Sequence, residues 1–242
     1  MIESVKELYE EYPYPSSRQY KFDITNERLS ISGVGPFNVK GEHIFVAGCG
    51  VAEACVIANT NPASRVYGID LSETSIKAAK AIRRKYQLKN LTLQVGDFNH
   101  VQNTDAFDHV IASGVIHHVE NDHLAVYNIW RLLKEGGKFA GMVYSDRRPN
   151  FIREKSQFFR EEGFNAKQVI EYFEKNKHEP AYIWYDVHVK DKEEIADTWL
   201  HPRFREYSKE DMYNLLSLYF EGDVKVHINP DNPYKLNFEA YK

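Results

Sequence analysis

Short apolar runs alternate with amphipathic stretches along most of the chain. Seven runs rich in β-branched and aromatic residues have the composition of strands: HIFVAG (43–48), RVYGID (65–70), LTLQVGD (91–97), FDHVIASG (107–114), KFAGMVYS (138–145), DVKVHI (223–228) and YKLNFEAY (234–241). The first five alternate with helices or loops, which predicts βα units and a mostly parallel sheet. The last two flank NPDNP, so we expect a hairpin in which one strand runs antiparallel to the rest.

The stretches between the runs carry helix signals. Ser72 is placed to cap a helix that follows the second strand. Within 122–135, apolar side chains recur at i, i+3, i+4 and i+7, one face of a helix that Gly136-Gly137 is expected to end. Ser208 and Asp211 have the spacing of a capping box at the start of a last helix.

Residues 146–207 interrupt this alternation. They contain two helix-like pieces, at about 150–162 and 166–176, followed by polar and aromatic stretches that we interpret as loops. We read the segment as an insertion. The predicted parts are an N-terminal lid (1–39), a central core (40–145 and 208–242) and a substrate-capping insertion (146–207).

Composition narrows the class of protein. The chain has 242 residues, 43% hydrophobic and 27% charged, which excludes a disordered, fibrous or membrane-spanning chain. A formal charge of −4 argues against a nucleic-acid binder, which carries a basic excess. The cysteines, Cys49 and Cys55, lie in one apolar segment and do not form a disulfide framework. With no signal-peptide pattern at the N-terminus, we expect a cytoplasmic protein.

Candidate ligand-binding residues follow the first two strands, where doubly wound sheets bind ligands. Gly48 and Gly50 let a ligand approach the backbone closely, although a structural turn also needs them. Asp70 is placed to accept the hydroxyls of a ribose, or alternatively to act as a charge at the next helix N-terminus. Glu53 occupies the third position of the dinucleotide fingerprint and would repel a pyrophosphate, so the pattern disfavours NAD.

His117 and His118 lie just past the fourth strand. A histidine there would accept the proton that a hydroxyl or amine nucleophile loses. The alternative is that one of them caps the loop or packs against the sheet. His188 and His201 are the other histidines considered as metal ligands. No metal-site spacing connects the four, and we expect no metal.

Aromatic residues are concentrated in the insertion, which holds 12 of the chain's 33. In DTWLHPRFREY (197–207), Trp199, His201 and Arg203 combine flat apolar surface with hydrogen-bond donors, as in small-molecule pockets. Arg147 and Arg148 are placed to pair with a substrate carboxylate bidentately. The alternative is that Trp199 anchors a core and the arginines are solvated. We expect the surplus rings to cap the site and exclude water.

Five motifs in register resemble those of class I S-adenosylmethionine-dependent methyltransferases: VAGCGVAE, GIDLSETSIKAAK, QVGDF, FDHVIASGVIHHV and LLKEGGKFAGMVYS. The upstream YEEYPYP and the GVIHH element are similar to those of a bacterial subgroup of small methyltransferases. The resemblance implies an α/β, Rossmann-like methyltransferase fold. Its mostly parallel seven-stranded sheet would have one antiparallel strand and helices on both faces.

The resemblance also implies S-adenosylmethionine as the cofactor. Residues that follow the first four strands would line it: Gly48, Cys49 and Gly50 at its methionine end, Asp70 on the ribose diol, Leu71 on the adenine face, Asp97 and Phe98 at the adenine edge, and Ser113, Gly114 and Val115 on the pocket floor. Tyr12 and Tyr14 would close over the cofactor, where aromatic faces stabilise a sulfonium. Tyr12 and Tyr144 are also placed toward the substrate. Ala52 stands where the family usually has a third glycine.

The predicted function is methyl transfer to an oxygen or nitrogen of a small-molecule acceptor, with no nucleic-acid or membrane partner. The transfer is an in-line displacement, so positioning supplies most of the acceleration and a base is optional. Two alternatives stay open: an NAD(P)-dependent oxidoreductase of Rossmann type, and an S-adenosylmethionine-binding protein without catalysis. The oligomeric state is not predicted.

Overall fold

Seven strands form one sheet. The structure is a computed structural model that describes residues 2–14, 40–188, 191–230 and 232–242. The strands are β1 (His43–Ala47), β2 (Arg65–Asp70), β3 (Leu91–Val95), β4 (Phe107–Ser113), β5 (Leu133–Tyr144), β6 (Val224–Ile228) and β7 (Lys235–Tyr241). Their order is β3-β2-β1-β4-β5-β7-β6. Strand β7 runs antiparallel to both β5 and β6, while the other pairs are parallel. The predicted fold class is confirmed.

Helices follow most of the strands. Those in the described residues are α1 (Ile2–Glu11), α2 (Glu53–Thr60), α3 (Glu73–Lys85), α4 (Asp122–Leu132), α5 (Asn150–Glu161), α6 (Ala166–Lys175), α7 (Pro180–His188), α8 (Lys192–Ile195) and α9 (Lys209–Ser217). The two predicted caps are confirmed. The Ser72 side chain accepts a hydrogen bond from the Ser75 N–H at the start of α3, and Ser208 forms both capping-box hydrogen bonds with Asp211.

Two expectations about element boundaries were wrong. Helix α4 ends at Leu132, before the two glycines, because Leu133 already pairs with Phe107 in the sheet. The stretch after about residue 176, expected as loops, contains α7, α8 and a π-helical turn over Ala196–Leu200. The sequence of α7, PAYIWYDVH, is mostly apolar and has no polar face to reveal a helical period.

The buried residues form two clusters associated with the sheet and a third in the insertion. The third surrounds Phe159, Phe173 and Trp199, all of which are fully buried. The two ends of the insertion lie side by side, because two backbone hydrogen bonds join them. The Tyr207 N–H donates to the Tyr144 carbonyl over 2.9 Å, and the Tyr207 carbonyl accepts the Asp146 N–H. Of the predicted lid, residues 15–39 lie outside the described residues.

Candidate functional site

A cavity of about 860 Å³ opens at the edge of the sheet where the parallel strands end. Because β7 is antiparallel, its first residue comes to the same edge. By their contacts the lining residues fall into two sets. We call the first the glycine set: Gly48, Cys49, Gly50, Glu53, Asp70, Leu71, Asp97, Phe98, Ser113, Gly114 and Val115. We call the second the histidine set: Tyr9, His117, His118, Tyr144, Asp197, Arg203 and Lys235.

Asp70 organises the glycine set. One carboxylate oxygen accepts the Gly50 N–H over 2.8 Å and the other accepts the Ser72 N–H over 2.9 Å. Burial raises the pKa of this carboxyl, and the two backbone donors oppose that shift. Each oxygen keeps a free lone pair, so the side chain retains the capacity to accept two ligand hydroxyls.

The glycine loop fits a ligand close to its backbone. Gly48 has φ of +60°, and a Cβ there would lie 2.6 Å from the Val115 Cγ2 atom. Gly50 and Gly114 also have positive φ. The Ser113 hydroxyl, beneath the loop, is buried without a hydrogen-bond partner in the described chain. An orphaned hydroxyl in a cavity wall is satisfied when a polar ligand binds there.

Glu53 adds a buried carboxyl to the same set. It is only 5% exposed at the start of α2, and burial raises its pKa to about 8. The neutral form of the group therefore predominates at neutral pH. Because Glu53 lines the cavity, a ligand ammonium beside it would favour its charged form and a phosphate would disfavour it.

The N-terminal segment is fastened across the glycine set. The Glu10 carboxylate accepts hydrogen bonds from the backbone of Glu73 and Thr74 at the N-terminus of α3. The Tyr14 carbonyl accepts the Val51 N–H over 3.3 Å. Together these contacts hold α1 so that Tyr9, which the sequence reading missed, lines the cavity.

His118 is held in one tautomer. Its Nδ1 lies 2.8 Å from the Arg203 carbonyl oxygen, which can only accept, so Nδ1 carries the hydrogen. Burial lowers the pKa of the ring, while Asp197 and the carbonyl oppose that shift. The ring is therefore neutral near pH 7 and Nε2 is its proton acceptor.

His117 and His201 flank this ring. His117 stacks on Tyr144 with ring centroids 3.9 Å apart, and neither of its nitrogens has a partner in the described chain. His201 stacks on His118 at 3.6 Å, and its Nδ1 accepts the Arg203 N–H. Burial lowers the pKa of both histidines. Of the two histidines that line the cavity, only His118 has its tautomer fixed by a hydrogen bond to a carbonyl, so the geometry favours His118 over His117 as a base.

A carboxylate joins the N-terminal helix to the sheet across the cavity. Asp197 accepts the Tyr9 hydroxyl over 2.8 Å and the Tyr144 hydroxyl over 3.2 Å. Burial raises the pKa of both phenols, so both remain protonated donors. Asp197 stands in the stretch that the sequence reading singled out, but its carboxylate was not chosen.

The structure places five residues predicted to touch ligand outside the cavity lining. Arg148 is buried, with its guanidinium carbon 3.9 Å from the centroid of the Tyr144 ring. Trp199 is fully buried in the insertion core, as the alternative interpretation held. Tyr12 packs against that core, and the Arg147 side chain is exposed to solvent. His201 lies behind His118 and contacts the ring rather than the cavity. The other predicted residues line the cavity, and their roles stay predictions.

Two further findings concern cofactors and membranes. Within residues 2–14, 40–188, 191–230 and 232–242, no three His, Cys, Asp or Glu side chains come together in a way that would hold a metal ion. No helix in these same ranges is long and apolar enough to cross a membrane.

The fold and the glycine set define the class of S-adenosylmethionine-dependent methyltransferases with a Rossmann-like sheet. A family model described as a methyltransferase domain matches residues 38–213, and the chain belongs to that family. The match confirms the resemblance to methyltransferases noted in the sequence, and it supports S-adenosylmethionine as the cofactor. The Asp70 carboxylate and the orphaned Ser113 hydroxyl, which line the same cavity as the glycine loop, fit that cofactor.

Individual relatives are distant. A probable fatty acid methyltransferase from Pseudomonas putida is 27% identical over 127 residues, covering 50% of this chain and 30% of the relative. A demethylmenaquinone methyltransferase from Symbiobacterium thermophilum is 29% identical over 117 residues, 47% of each protein. The matched part thus spans less than half of either relative. The structure of a SAM-dependent methyltransferase from Aquifex aeolicus shares the fold, with a TM-score of 0.57, 15% identity, and coverage of 100% of this chain and 98% of that one.

Proposed function

We propose that the chain transfers a methyl group from S-adenosylmethionine to an oxygen or nitrogen of a small-molecule acceptor. The observation that carries the proposal is that one cavity joins the glycine set to His118, a neutral ring with a single acceptor nitrogen. A cofactor-binding protein without catalysis would need the first of these features and not the second.

The glycine set holds the cofactor. Asp70 accepts the ribose hydroxyls, Gly48 and Gly50 admit the methionine end, and Glu53 offers a carboxylate to its ammonium. When bound, S-adenosylmethionine supplies an electrophilic methyl carbon on a sulfonium sulfur. Asp97 holds its own loop, because its carboxylate accepts the Asn99 N–H, and with Phe98 it lines the predicted adenine pocket.

His118 removes the proton that a hydroxyl or amine acceptor loses on methylation. Its Nε2 is the acceptor, and the Arg203 carbonyl stabilises the ring that has gained a proton through the Nδ1 hydrogen bond. The ring is held on both faces, since His201 stacks on it and His117 packs against it at a centroid distance of 4.1 Å. This packing fixes the direction of the acceptor nitrogen.

The remainder of the histidine set closes the cavity. Tyr9, Asp197 and Tyr144 form a hydrogen-bonded bridge between helix α1, the insertion and the end of β5. The bridge keeps water away from the reacting atoms and narrows the space for the acceptor. The names of the two relatives, a fatty acid and a menaquinone methyltransferase, support an acceptor of small-molecule size.

Turnover tests the proposal. The full chain would be incubated with S-adenosylmethionine and a panel of small hydroxyl and amine compounds, and S-adenosylhomocysteine would be measured by mass spectrometry. We expect product to form with at least one acceptor and to depend on that acceptor. Cofactor binding without turnover on the whole panel would favour the non-catalytic alternative, and NAD-dependent oxidation of the same alcohols would favour the oxidoreductase.

A further inference from the structure

Lys235 is a cation without a partner in the cavity wall. It is the first residue of β7, and its side chain lines the cavity. Its ammonium makes no hydrogen bond or ion pair with any residue in the described part of the chain. Burial lowers its pKa, the charges of Asp197 and Glu194 oppose that shift, and the charge of Arg148 adds to it. A desolvated ammonium without a direct partner is unfavourable until an anion reaches it.

The antiparallel register brings Lys235 to the reacting groups. Lys235 pairs directly with Tyr144, so the two side chains leave the same face of the sheet about 5 Å apart at Cβ. Tyr144 in turn stacks on His117 and contacts His118. The ammonium therefore belongs to the same small group of residues as the proposed base.

The neighbouring charges leave Lys235 available. Asp197 and Glu194 act on it electrostatically, yet neither forms an ion pair with it in the described chain, and the Asp197 oxygens already accept the Tyr9 and Tyr144 hydroxyls. Arg148 lies over the Tyr144 ring, with its guanidinium carbon 3.9 Å from the centroid, and its buried Nη1 has no partner in the described chain. Lys235 thus has charged neighbours of both signs and no direct partner for its ammonium in the described part of the chain.

We propose that Lys235 binds an anionic oxygen of the methyl acceptor, and that the acceptor is a small carboxylic acid. The inference rests on the proposed function and names its substrate class. One unpaired ammonium matches the single charge of a carboxylate better than a phosphate dianion. The carboxylate bonds to Lys235, while the atom to be methylated lies toward His118. The sequence predicted Arg147 and Arg148 as partners for such a group, but Arg147 is exposed to solvent and Arg148 lies outside the cavity lining, so we assign this role to Lys235.

Paired ligands test the proposal by binding, independently of turnover. The full chain, saturated with S-adenosylhomocysteine, would be titrated by calorimetry with a panel of hydroxy and amino carboxylic acids and with the primary amide of each. We expect at least one acid to bind about tenfold or more tightly than its amide, since a charge-assisted hydrogen bond in a desolvated site is lost in the amide.

Three variants assign the preference. Lys235→Met should remove it by lowering the affinity for the acid about tenfold, and Lys235→Arg should keep most of it. Lys138→Met deletes a lysine at the far end of the same pair of strands, where the Lys138 ammonium forms a salt bridge with Glu239. This variant should leave the preference intact. Affinity for S-adenosylhomocysteine should stay unchanged in all three.

Three results would overturn the proposal: no acid in the panel binding more tightly than its amide, the preference persisting in Lys235→Met, or its loss in Lys138→Met as well. A purely structural role for Lys235 would lower the unfolding midpoint without changing the ratio of acid to amide affinity. Failure to bind S-adenosylhomocysteine would instead count against the proposed function, and the same titrations on the chain without it would still report on Lys235.

Discussion

The glycine set and the histidine set share a cavity but are assembled in different ways. The glycine set comes from four loops that follow neighbouring parallel strands, and its contacts are mainly backbone hydrogen bonds such as Gly50 to Asp70. The histidine set gathers side chains from the turn after β4, helix α1, the insertion and both β5 and β7. The first offers a fixed cradle for a cofactor, and the second offers desolvated polar side chains that suit a particular acceptor.

The difference extends to stability. Residues of the glycine set lie on loops tied to the sheet, whereas Asp197 and Arg203 depend on the insertion, which has its own buried cluster around Trp199. Damage to that cluster should therefore harm the histidine set and spare the glycine set.

The largest effect is expected for Trp199→Ala. Removal of a fully buried tryptophan should lower the free energy of unfolding by about 3–5 kcal/mol, measured by urea denaturation. Trp184→Ala, at a partly buried position of the same insertion, should cost clearly less. Equal losses in the two variants would show that the insertion core does not depend on Trp199.

His118→Ala should lower turnover about 100-fold on a hydroxyl acceptor, because the oriented proton acceptor is lost. Affinity for S-adenosylhomocysteine, which depends on the glycine set, should stay the same. His117→Ala provides the matched comparison and should cost much less. Rates like those of the unmodified protein in both variants would remove the base from the account, and a larger loss in His117→Ala would reassign it.

The glycine set could be predicted from the sequence more fully than the histidine set. The sequence predicted all seven strands and the Ser72 and Ser208 caps. It also placed at the site every residue of the glycine set other than Glu53, and these residues line the cavity. Each of these features depends on local spacing along one βα unit. Tyr9, Asp197 and Lys235 were missed, because tertiary contacts between distant segments bring them together.

Lys235 shows the physical reason most clearly. The search for site residues followed the ends of strands, but an antiparallel strand presents its beginning at that edge. The position of a lysine at the start of the hairpin's second strand was the sequence signal that could have identified Lys235 as a site residue. The prediction that Trp199 contacts the substrate was wrong for a different reason. A tryptophan beside polar residues is equally compatible with a pocket wall and a core, and the burial of its side chain decides between them.

A smaller effect concerns the dependence of stability on pH. Because burial lowers the native pKa of His117, the stability it contributes is present above its unfolded pKa of about 6.5 and is lost as pH falls below that value. His117→Phe keeps an aromatic ring and should reduce the loss between pH 6.5 and 5.5 by about 1 kcal/mol.

Urea denaturation of both proteins at several pH values would measure this difference. Glu53 acts in the opposite direction over the same interval, since its pKa is raised to about 8, but it is present in both proteins and its contribution cancels. Identical pH profiles would mean that His117 is not buried as a neutral ring.

The most direct test is calorimetry, in which S-adenosylhomocysteine and NAD are each titrated into the full chain and into its Asp70→Ala variant. We expect a single S-adenosylhomocysteine site, an affinity at least about tenfold lower in Asp70→Ala because two ligand hydroxyls lose their acceptor, and no comparable NAD binding. Tight binding of NAD without any response to S-adenosylhomocysteine, or an affinity unchanged in Asp70→Ala, would contradict this expectation.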